Sequence, residues 1–261
     1  METEPAAPKS SKGPLLAGAL GFLLAAAIGA GAWLMASRAP APPPPQPAPP
    51  PAGAEPAPPA VAPPPVPASE LAALLQSISS NALYRSWIAE PDPIHRWAVV
   101  ADNLQEDVSP RAQLGFLKPE QPFAVVEGKS GATASPAAFA RYDALGDAIA
   151  SIDAAAFARV VRALHPALQW TYRELGYPKA SLDVVAAQAL SRLGAAPLPG
   201  SAPTLVKRGA SWIYADPQLE GLGPVEKHLL RLGPRNARLV REKARELLTS
   251  LGLPEVKVAP R

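Results

Sequence analysis

The chain has 261 residues, of which 35 are proline and none is cysteine, and its formal net charge is +3 at pH 7. The absence of cysteine excludes disulfide bonds, thiolate metal ligands, a cysteine nucleophile and a lipid anchor attached to cysteine. Along the chain the composition changes from an apolar run to a proline-rich stretch and then to a sequence of globular character.

An uncharged apolar run extends from Leu15 to Ser37. As an α-helix, its 23 residues would span roughly 34 Å, about the thickness of the hydrocarbon core of a bilayer. A cleavable signal peptide is the alternative, but its hydrophobic region has only about 7–15 residues and ends at an Ala-x-Ala site. The nearest such triplet, at residues 39–41, has proline at its centre. We therefore predict an uncleaved, single-pass transmembrane helix over residues 15–37, embedded in the lipid bilayer.

Basic residues flank this run unequally, because Lys9 and Lys12 precede it and Arg38 follows it. The side richer in lysine and arginine stays in the cytoplasm. This bias predicts a short cytoplasmic head of residues 1–14 and a C-terminal part that crosses the membrane. The predicted location is the bacterial inner membrane, with the C-terminal domain in the periplasm; the reversed orientation is the alternative.

Proline dominates the next stretch, with 16 prolines among residues 40–67. Proline lacks an amide hydrogen and has a fixed φ, so such a sequence forms neither helix nor sheet and favours extended polyproline II at about 3.1 Å per residue. We predict a disordered Pro/Ala-rich linker over residues 38–68, with a reach of up to roughly 85 Å. A ligand for an aromatic-lined groove is the alternative interpretation of the same segment.

Residues 69–261 have the composition of one globular domain that is large enough to bury a core. Ser69 is predicted to cap a first helix, and a second helix is predicted to begin near Pro93, followed by a loop over residues 106–122. The apolar residues of these two helices recur at helical spacing. They are Leu71, Leu74, Leu75 and Ile78 in the first, and Ile94, Trp97, Ala98, Ala101 and Leu104 in the second.

Two hairpins and further helices are predicted in the remainder of the domain. One hairpin turns at residues 128–131 and the other spans residues 204–216. Helices are predicted after Ser135, after Asp153 and after Ser181, with Pro166 kinking or dividing the second and Gly176 ending it. Two last helices are separated by residues 233–234. The predicted fold class is mainly α with two small β-hairpins, a helix-dominated α+β fold.

Five short segments stand out within this domain. They are Ala101-Asp102-Asn103-Leu104, Phe139-Ala140-Arg141-Tyr142-Asp143, Leu175-Gly176-Tyr177-Pro178, Tyr214-Ala215-Asp216-Pro217 and Leu229-Leu230-Arg231-Leu232-Gly233-Pro234-Arg235-Asn236. In this order they resemble an uncharacterised proteobacterial family of single-pass membrane proteins. Its members combine a short head, one transmembrane helix, a proline-rich linker and a helical domain. The resemblance implies this topology and a bacterial envelope setting, and it implies neither an activity nor site residues.

No catalytic, cofactor-binding or metal-binding residue is predicted. Residues 128–130, Gly-Lys-Ser, match the last three residues of a phosphate-binding loop. That motif also needs a glycine at the position of Phe123 and a helix after it, so a hairpin turn is favoured. His95, His165 and His228 lack metal-ligand spacing and are interpreted as surface or packing residues of helices. The neighbouring carboxylates of Glu106 and Asp107 are interpreted as solvated.

Charge is concentrated at the C-terminus. Residues 69–223 carry 13 basic and 15 acidic side chains, whereas residues 224–261 carry nine and four. On the last helix, four arginines lie off the apolar stripe and form a candidate surface for an anionic partner. They are Arg235, Arg238, Arg241 and Arg245. The alternative is a solvated face whose charge is partly offset by Glu242 and Glu246.

Together these patterns favour a membrane-anchored cell-envelope protein that displays a helical binding or scaffolding domain on a proline-rich stalk. Its expected partner is an unknown envelope protein or anionic surface, and nucleic acid is not expected for an exported domain. The sequence favours a protein without enzymatic activity. An envelope enzyme of unrecognised type, for example one that acts on cell-wall polymer, is the alternative, and the oligomeric state is left open.

Overall fold

The computed structural model describes residues 61–110, 119, 121–129, 131–198 and 200–258. The predicted cytoplasmic head, the predicted transmembrane helix and residues 38–60 of the predicted linker lie outside these ranges. Among the described residues, no helix combines the length and the apolar character that a membrane crossing requires. Residues 61–67 precede the first helix without regular secondary structure.

Helices dominate the described part of the chain, and four short strands accompany them. The helices are α1 (Ala68–Gln76), α2 (Ala82–Ile88), α3 (Pro93–Gln105), α4 (Pro136–Ala140), α5 (Asp143–Ala150), α6 (Ala154–Glu174), α7 (Leu182–Ala195), α8 (Pro217–Glu220), α9 (Pro224–Arg231) and α10 (Pro234–Leu251). The strands are β1 (Val125–Gly128), β2 (Gly131–Ala134), β3 (Thr204–Arg208) and β4 (Ser211–Tyr214). The predicted helix-dominated α+β class is therefore confirmed.

Side-chain caps begin several helices as the sequence indicates. The side chain of Asp153 accepts a hydrogen bond from the Ala156 amide at the start of α6, and Ser135 does the same for Ala138 in α4. The prediction for Ser69 is wrong, because α1 already begins at Ala68 and Ser69 lies within its first turn. Ser181 holds the N-cap position of α7, but the Leu182 amide donates to Gln169 of α6 instead.

Pro166 does not divide α6, which runs unbroken from Ala154 to Glu174. A proline inside a helix removes one backbone hydrogen bond and crowds the preceding turn. Pro166 is exposed, whereas Leu164 and Leu168 on either side of it are buried in the core. Burial on both sides therefore holds the two halves of the helix together, and α6 ends just before Gly176, as predicted.

The two predicted hairpins are confirmed, and they join into one antiparallel sheet of order β1-β2-β3-β4. The link between them is the pairing of β2 with β3, in which Ala132 lies opposite Leu205 and Thr133 opposite Thr204. One face of this sheet packs on the end of α9, where Tyr214 and Leu230 are buried. The sheet thus forms a small second layer beside the helices.

The main core lies where α3, α6, α7 and α10 meet. α7 and α10 pack along each other, and α3 packs on both α6 and α7. α6 and α7, although consecutive, touch each other at few positions. This separation places an opening between α6 and α7, directly above the core.

Candidate functional site

The four candidate arginines of α10 do not form one continuous surface. Arg235 turns toward α5, where its guanidinium pairs with Asp147 and lies 3.6 Å from Asp143. The hydrogen bond to Asp147 raises the pKa of Arg235 above its usual value. Because two carboxylates face this arginine, most of its charge is already balanced within the domain.

Two of the other three arginines contact the C-terminal end of α7. Arg241 donates to the carbonyl of Ala196 over 3.3 Å, at the C-terminal end of α7. The aliphatic part of the Arg245 side chain lies directly against Gly194. Both contacts place cations where a helix dipole is negative, which is a stabilising arrangement. Arg238 is exposed to solvent.

An apolar pocket, which we name the α6–α7 pocket, lies under the opening between these two helices. Its volume is about 130 Å³. The walls are mostly aromatic and aliphatic side chains from α2, α3, α6, α7 and α10. They include Trp87, Trp97, Phe157, Leu168, Leu190 and Leu247. An engineered cavity of about 150 Å³ with such walls stays dry and binds benzene, so this pocket has room for a small apolar group.

Charged side chains lie at the mouth of the α6–α7 pocket. His165 of α6 lies 3.1 Å from the carboxylate of Asp183 on α7, and both are partly exposed. Arg162 donates to the carbonyl of Ser250 over 3.4 Å at the end of α10. The side-chain amide of Gln169, on α6, donates to the carbonyl of Ala180, just before α7 begins. The pocket therefore combines an apolar interior with a charged rim.

A second concave region, which we name the aromatic groove, lies between the sheet and helices α4 and α9. Its volume is about 360 Å³. Pro203, Leu205 and Arg231 line it together with four aromatic rings. These rings belong to Phe123, Phe139, Trp212 and Tyr214. Burial raises the pKa of Tyr214 to about 12, with Arg231 acting in the opposite direction. The groove thus presents flat apolar surfaces rather than a chemically reactive group.

Two segments that carry the family resemblance meet at Asp102. Its carboxylate accepts a hydrogen bond of 2.8 Å from the Tyr172 hydroxyl and one of 3.2 Å from the Tyr177 hydroxyl. The two tyrosine rings stack with their centroids 5.1 Å apart. Burial first, and then the neighbouring carboxylate, raise the pKa of both hydroxyls. This cluster fastens α3 to the turn that follows α6.

Two other such segments meet at Asn236. Its side-chain amide donates to the carbonyl of Phe139 and to the carboxylate of Asp143. Gly233 has a positive φ of 84° and lies against the ring of Phe139, so a larger residue would not fit there. The second and fifth segments therefore join α4 and α5 to the start of α10.

The interpretation of Asp107 as solvated is wrong, because its side chain is buried together with that of Arg192. The Asp107 carboxylate accepts a hydrogen bond from the Val225 amide and lies 3.7 Å from Arg192, which also binds Glu226 over 3.0 Å. Burial raises the pKa of Glu226, while Arg192 acts to lower it. Gly223 leaves space for this carboxylate. The sequence signal for this cluster was an arginine on the apolar side of α7.

The histidines and the glycine-lysine turn take the places that were predicted for them. His95 is exposed on α3, His165 binds Asp183, and His228 of α9 lies 3.1 Å from the hydroxyl of Ser109. Gly128 lies opposite Gly131 across a hairpin, so this segment is a strand turn and not a phosphate-binding loop. Within the described ranges, no set of three or more histidine and acidic residues is arranged to hold a metal ion.

Comparison with known proteins places this domain in a family. No curated protein and no solved structure matches the chain. A family described as "Protein of unknown function (DUF3014)" matches residues 93–248, which extend from α3 into α10 and include the aromatic groove, the ionic cluster and most of the α6–α7 pocket. The chain therefore belongs to the DUF3014 family.

Proposed function

We propose that this protein is a membrane-anchored component of the bacterial cell envelope that displays a binding domain on a proline-rich stalk. In this proposal residues 15–37 anchor the chain in the inner membrane, and residues 38–68 hold the domain away from the bilayer in the periplasm. The domain binds its target without a chemical step. The anchor, the stalk and the location rest on the composition of the N-terminal residues.

The α6–α7 pocket is the observation that supports a binding role. Its apolar walls suit an alkyl or small aromatic group, and burying each CH₂ group there would contribute about 0.8 kcal/mol. Arg162, His165 and Asp183 at the mouth suit a polar end that stays in contact with water. We therefore propose an amphipathic small molecule, or a short alkyl end of a larger one, as the ligand.

Straight-chain carboxylates of four, five, six and eight carbons test this proposal. Each added methylene should tighten binding about fourfold until the pocket is filled, because about 0.8 kcal/mol per CH₂ corresponds to that factor. Calorimetry on the full chain in lipid nanodiscs measures the series, and nanodiscs without protein serve as the blank. Affinity that does not depend on chain length would contradict an apolar site.

A pair of variants on α7 shows whether the pocket is the site. Ala186 lines the pocket, so Ala186→Leu should fill part of it and weaken binding at least tenfold. Val184 is 54% exposed on the same helix, so Val184→Leu adds one methylene outside the pocket and should leave binding unchanged. Equal binding by both variants, with unchanged circular dichroism, would place the ligand elsewhere.

The proposed topology has its own test. An alkaline phosphatase that is active only in the periplasm, fused after Arg261, should be active in bacterial cells. A fusion at the same position that is active only in the cytoplasm should be silent. The opposite pair of results would reverse the orientation of the anchor.

In this proposal the envelope partner meets the three α10 arginines other than Arg235, namely Arg238, Arg241 and Arg245. Arg238→Glu is the cleanest perturbation, since the other two side chains also contact α7. Attraction between exposed charges extends over about 8 Å at physiological salt, so reversing this charge should reduce recovery of the partner after crosslinking in cells. Arg173→Glu, on the exposed end of α6, serves as the control. Equal recovery with both variants would remove α10 from the interface.

A further inference from the structure

The aromatic groove has the features of a surface that binds extended proline-rich chains. Polyproline II segments dock in grooves lined by aromatic rings, because the flat proline rings pack against them and little conformational entropy is lost. Phe123, Phe139 and Trp212 are each half-buried in the groove, so part of every ring is accessible. Its volume of about 360 Å³ falls within the usual range for ligand sites.

The groove also supplies a hydrogen-bond donor. Trp212 lines it, and within the described part of the chain the indole N–H of Trp212 has no hydrogen-bond partner. A polyproline II chain makes no internal hydrogen bonds, so all its carbonyl groups need outside donors. An indole N–H beside flat aromatic surfaces therefore matches both the shape and the polarity of such a chain.

The same protein carries a matching segment. Residues 40–51 contain nine prolines in twelve residues and no charge. They are joined to the first described residue by residues 52–60, which include Gly53. At about 3.1 Å per residue, the segment can lie roughly 30 to 65 Å from Val61. A domain of about 190 residues has a radius of gyration near 16 Å, so its whole surface is within this reach.

We propose that the aromatic groove binds residues 40–51 of its own chain. The stalk then exists in two states, a docked state in which the domain is held close to the membrane anchor and an extended state in which it stands away. Tethering gives the segment an effective concentration on the order of 1 mM at the groove. An intrinsic Kd of about 0.1 mM would then keep roughly nine chains in ten docked.

Spin labels test this in the full chain, which has no native cysteine to interfere. One label is placed in the segment by Gln46→Cys and one at the rim of the groove by Ser211→Cys, since Ser211 is exposed and lines the groove. Pulsed electron resonance in nanodiscs should show one dominant narrow distance, because docking holds both labelled positions at one site. A single broad distribution over tens of ångströms would overturn the proposal.

Two further variants test whether docking of residues 40–51 in the aromatic groove causes the narrow distance. Pro44 and Pro47 are three residues apart and share one face of a polyproline II helix, so changing both to alanine should reduce the docked fraction to about half or less. This change leaves the domain sequence intact, so folding is not in question. Trp212→Ala should have a similar effect. Val206→Ala, at an exposed position of β3 outside the groove, should leave the distance unchanged.

A mixture of chains identifies the donor of the segment. Chains labelled only at Gln46→Cys are mixed with chains labelled only at Ser211→Cys. A narrow distance in this mixture would mean that the groove binds the segment of a second copy, which contradicts docking within one chain. No short distance in the mixture, together with a narrow distance in the doubly labelled chain, supports it. Loss of carboxylate binding in the α6–α7 pocket would not affect either result, so the two proposals stand or fall separately.

Discussion

Replacing Arg192 by methionine tests the buried ionic cluster most directly. The Arg192 side chain is 3% exposed, and it lies between the carboxylates of Asp107, 2% exposed, and Glu226, 14% exposed. It also donates to the carbonyl of Gln105 over 3.3 Å. Methionine keeps much of the volume but removes the charge, so two carboxylates are left in a buried site with no cation beside them.

The expected loss follows from that geometry. Removing one partner of a buried ion pair lowers the free energy of unfolding by about 3–5 kcal/mol, because the remaining charge loses its compensation. Arg192→Met with Glu226→Gln should lose less, since one of the two stranded carboxylates is now neutral. The difference between the double variant and the sum of the single variants should exceed about 1 kcal/mol.

The pH dependence of the stability loss gives a second test of the same prediction. The pKa of Glu226 is already raised in the folded protein, and removing Arg192 takes away an interaction that lowers it. A carboxyl group with a raised folded pKa holds its proton more tightly when folded, so protonation stabilises the fold. The loss caused by Arg192→Met should therefore be largest near pH 7. It should shrink as the pH falls through the raised pKa toward the ordinary value of 4.5.

Urea denaturation of the full chain in mild detergent, followed by circular dichroism, measures these losses, and the denaturant slope should stay constant. Arg173→Met on the exposed end of α6 is the matched control and should change the free energy of unfolding by less than about 0.5 kcal/mol. A loss below about 1 kcal/mol for Arg192→Met, or a loss that does not depend on pH, would refute the reasoning.

Three further predictions follow from the fold. A fragment of residues 68–261 should be soluble, mainly helical and cooperative on melting, since the core lies within it; aggregation or a gradual melt would place the domain boundary elsewhere. Leu75→Ala should lower the free energy of unfolding by about 2–5 kcal/mol because Leu75 is 2% exposed, whereas Val184→Ala should have little effect; similar values for both in urea denaturation would contradict the burial. Because the folded pKa of Tyr172 is raised, stability should fall as the pH rises above about 10, and Tyr172→Phe should flatten that fall; an unchanged slope would show that Tyr172 does not cause it.

Local signals in the sequence determined most of the secondary structure. The hairpin at Gly128 and Gly131 depends on turn residues flanked by short strands, which are neighbours in the chain. The starts of α4 and α6 depend on side chains that cap amides three residues away. The short helix α2, only seven residues long, was missed, because two turns show too little periodicity to stand out.

Burial decided what those local signals could not. Pro166 favours a break, but the buried leucines on either side of it keep α6 whole. Asp107 follows a helix end in a polar sequence, which predicts a solvated side chain, yet Arg192 lies 85 residues later in the chain and encloses it. Whether such a side chain is buried depends on which distant elements pack against it. Periodicity within one element carries no information about that packing.

The sequence by itself also determined the order of apolar run, proline-rich segment and helical domain, since composition alone limits what each can do. Only the tertiary structure decided that the two hairpins form one sheet, that Arg235 turns away from the other three arginines, and that α6 and α7 diverge over a pocket. Each of these depends on contacts between residues far apart in the chain. Such contacts depend on the packing of the whole core, because the apolar face of each helix or sheet must be buried against another element. The local sequence does not determine which element that is.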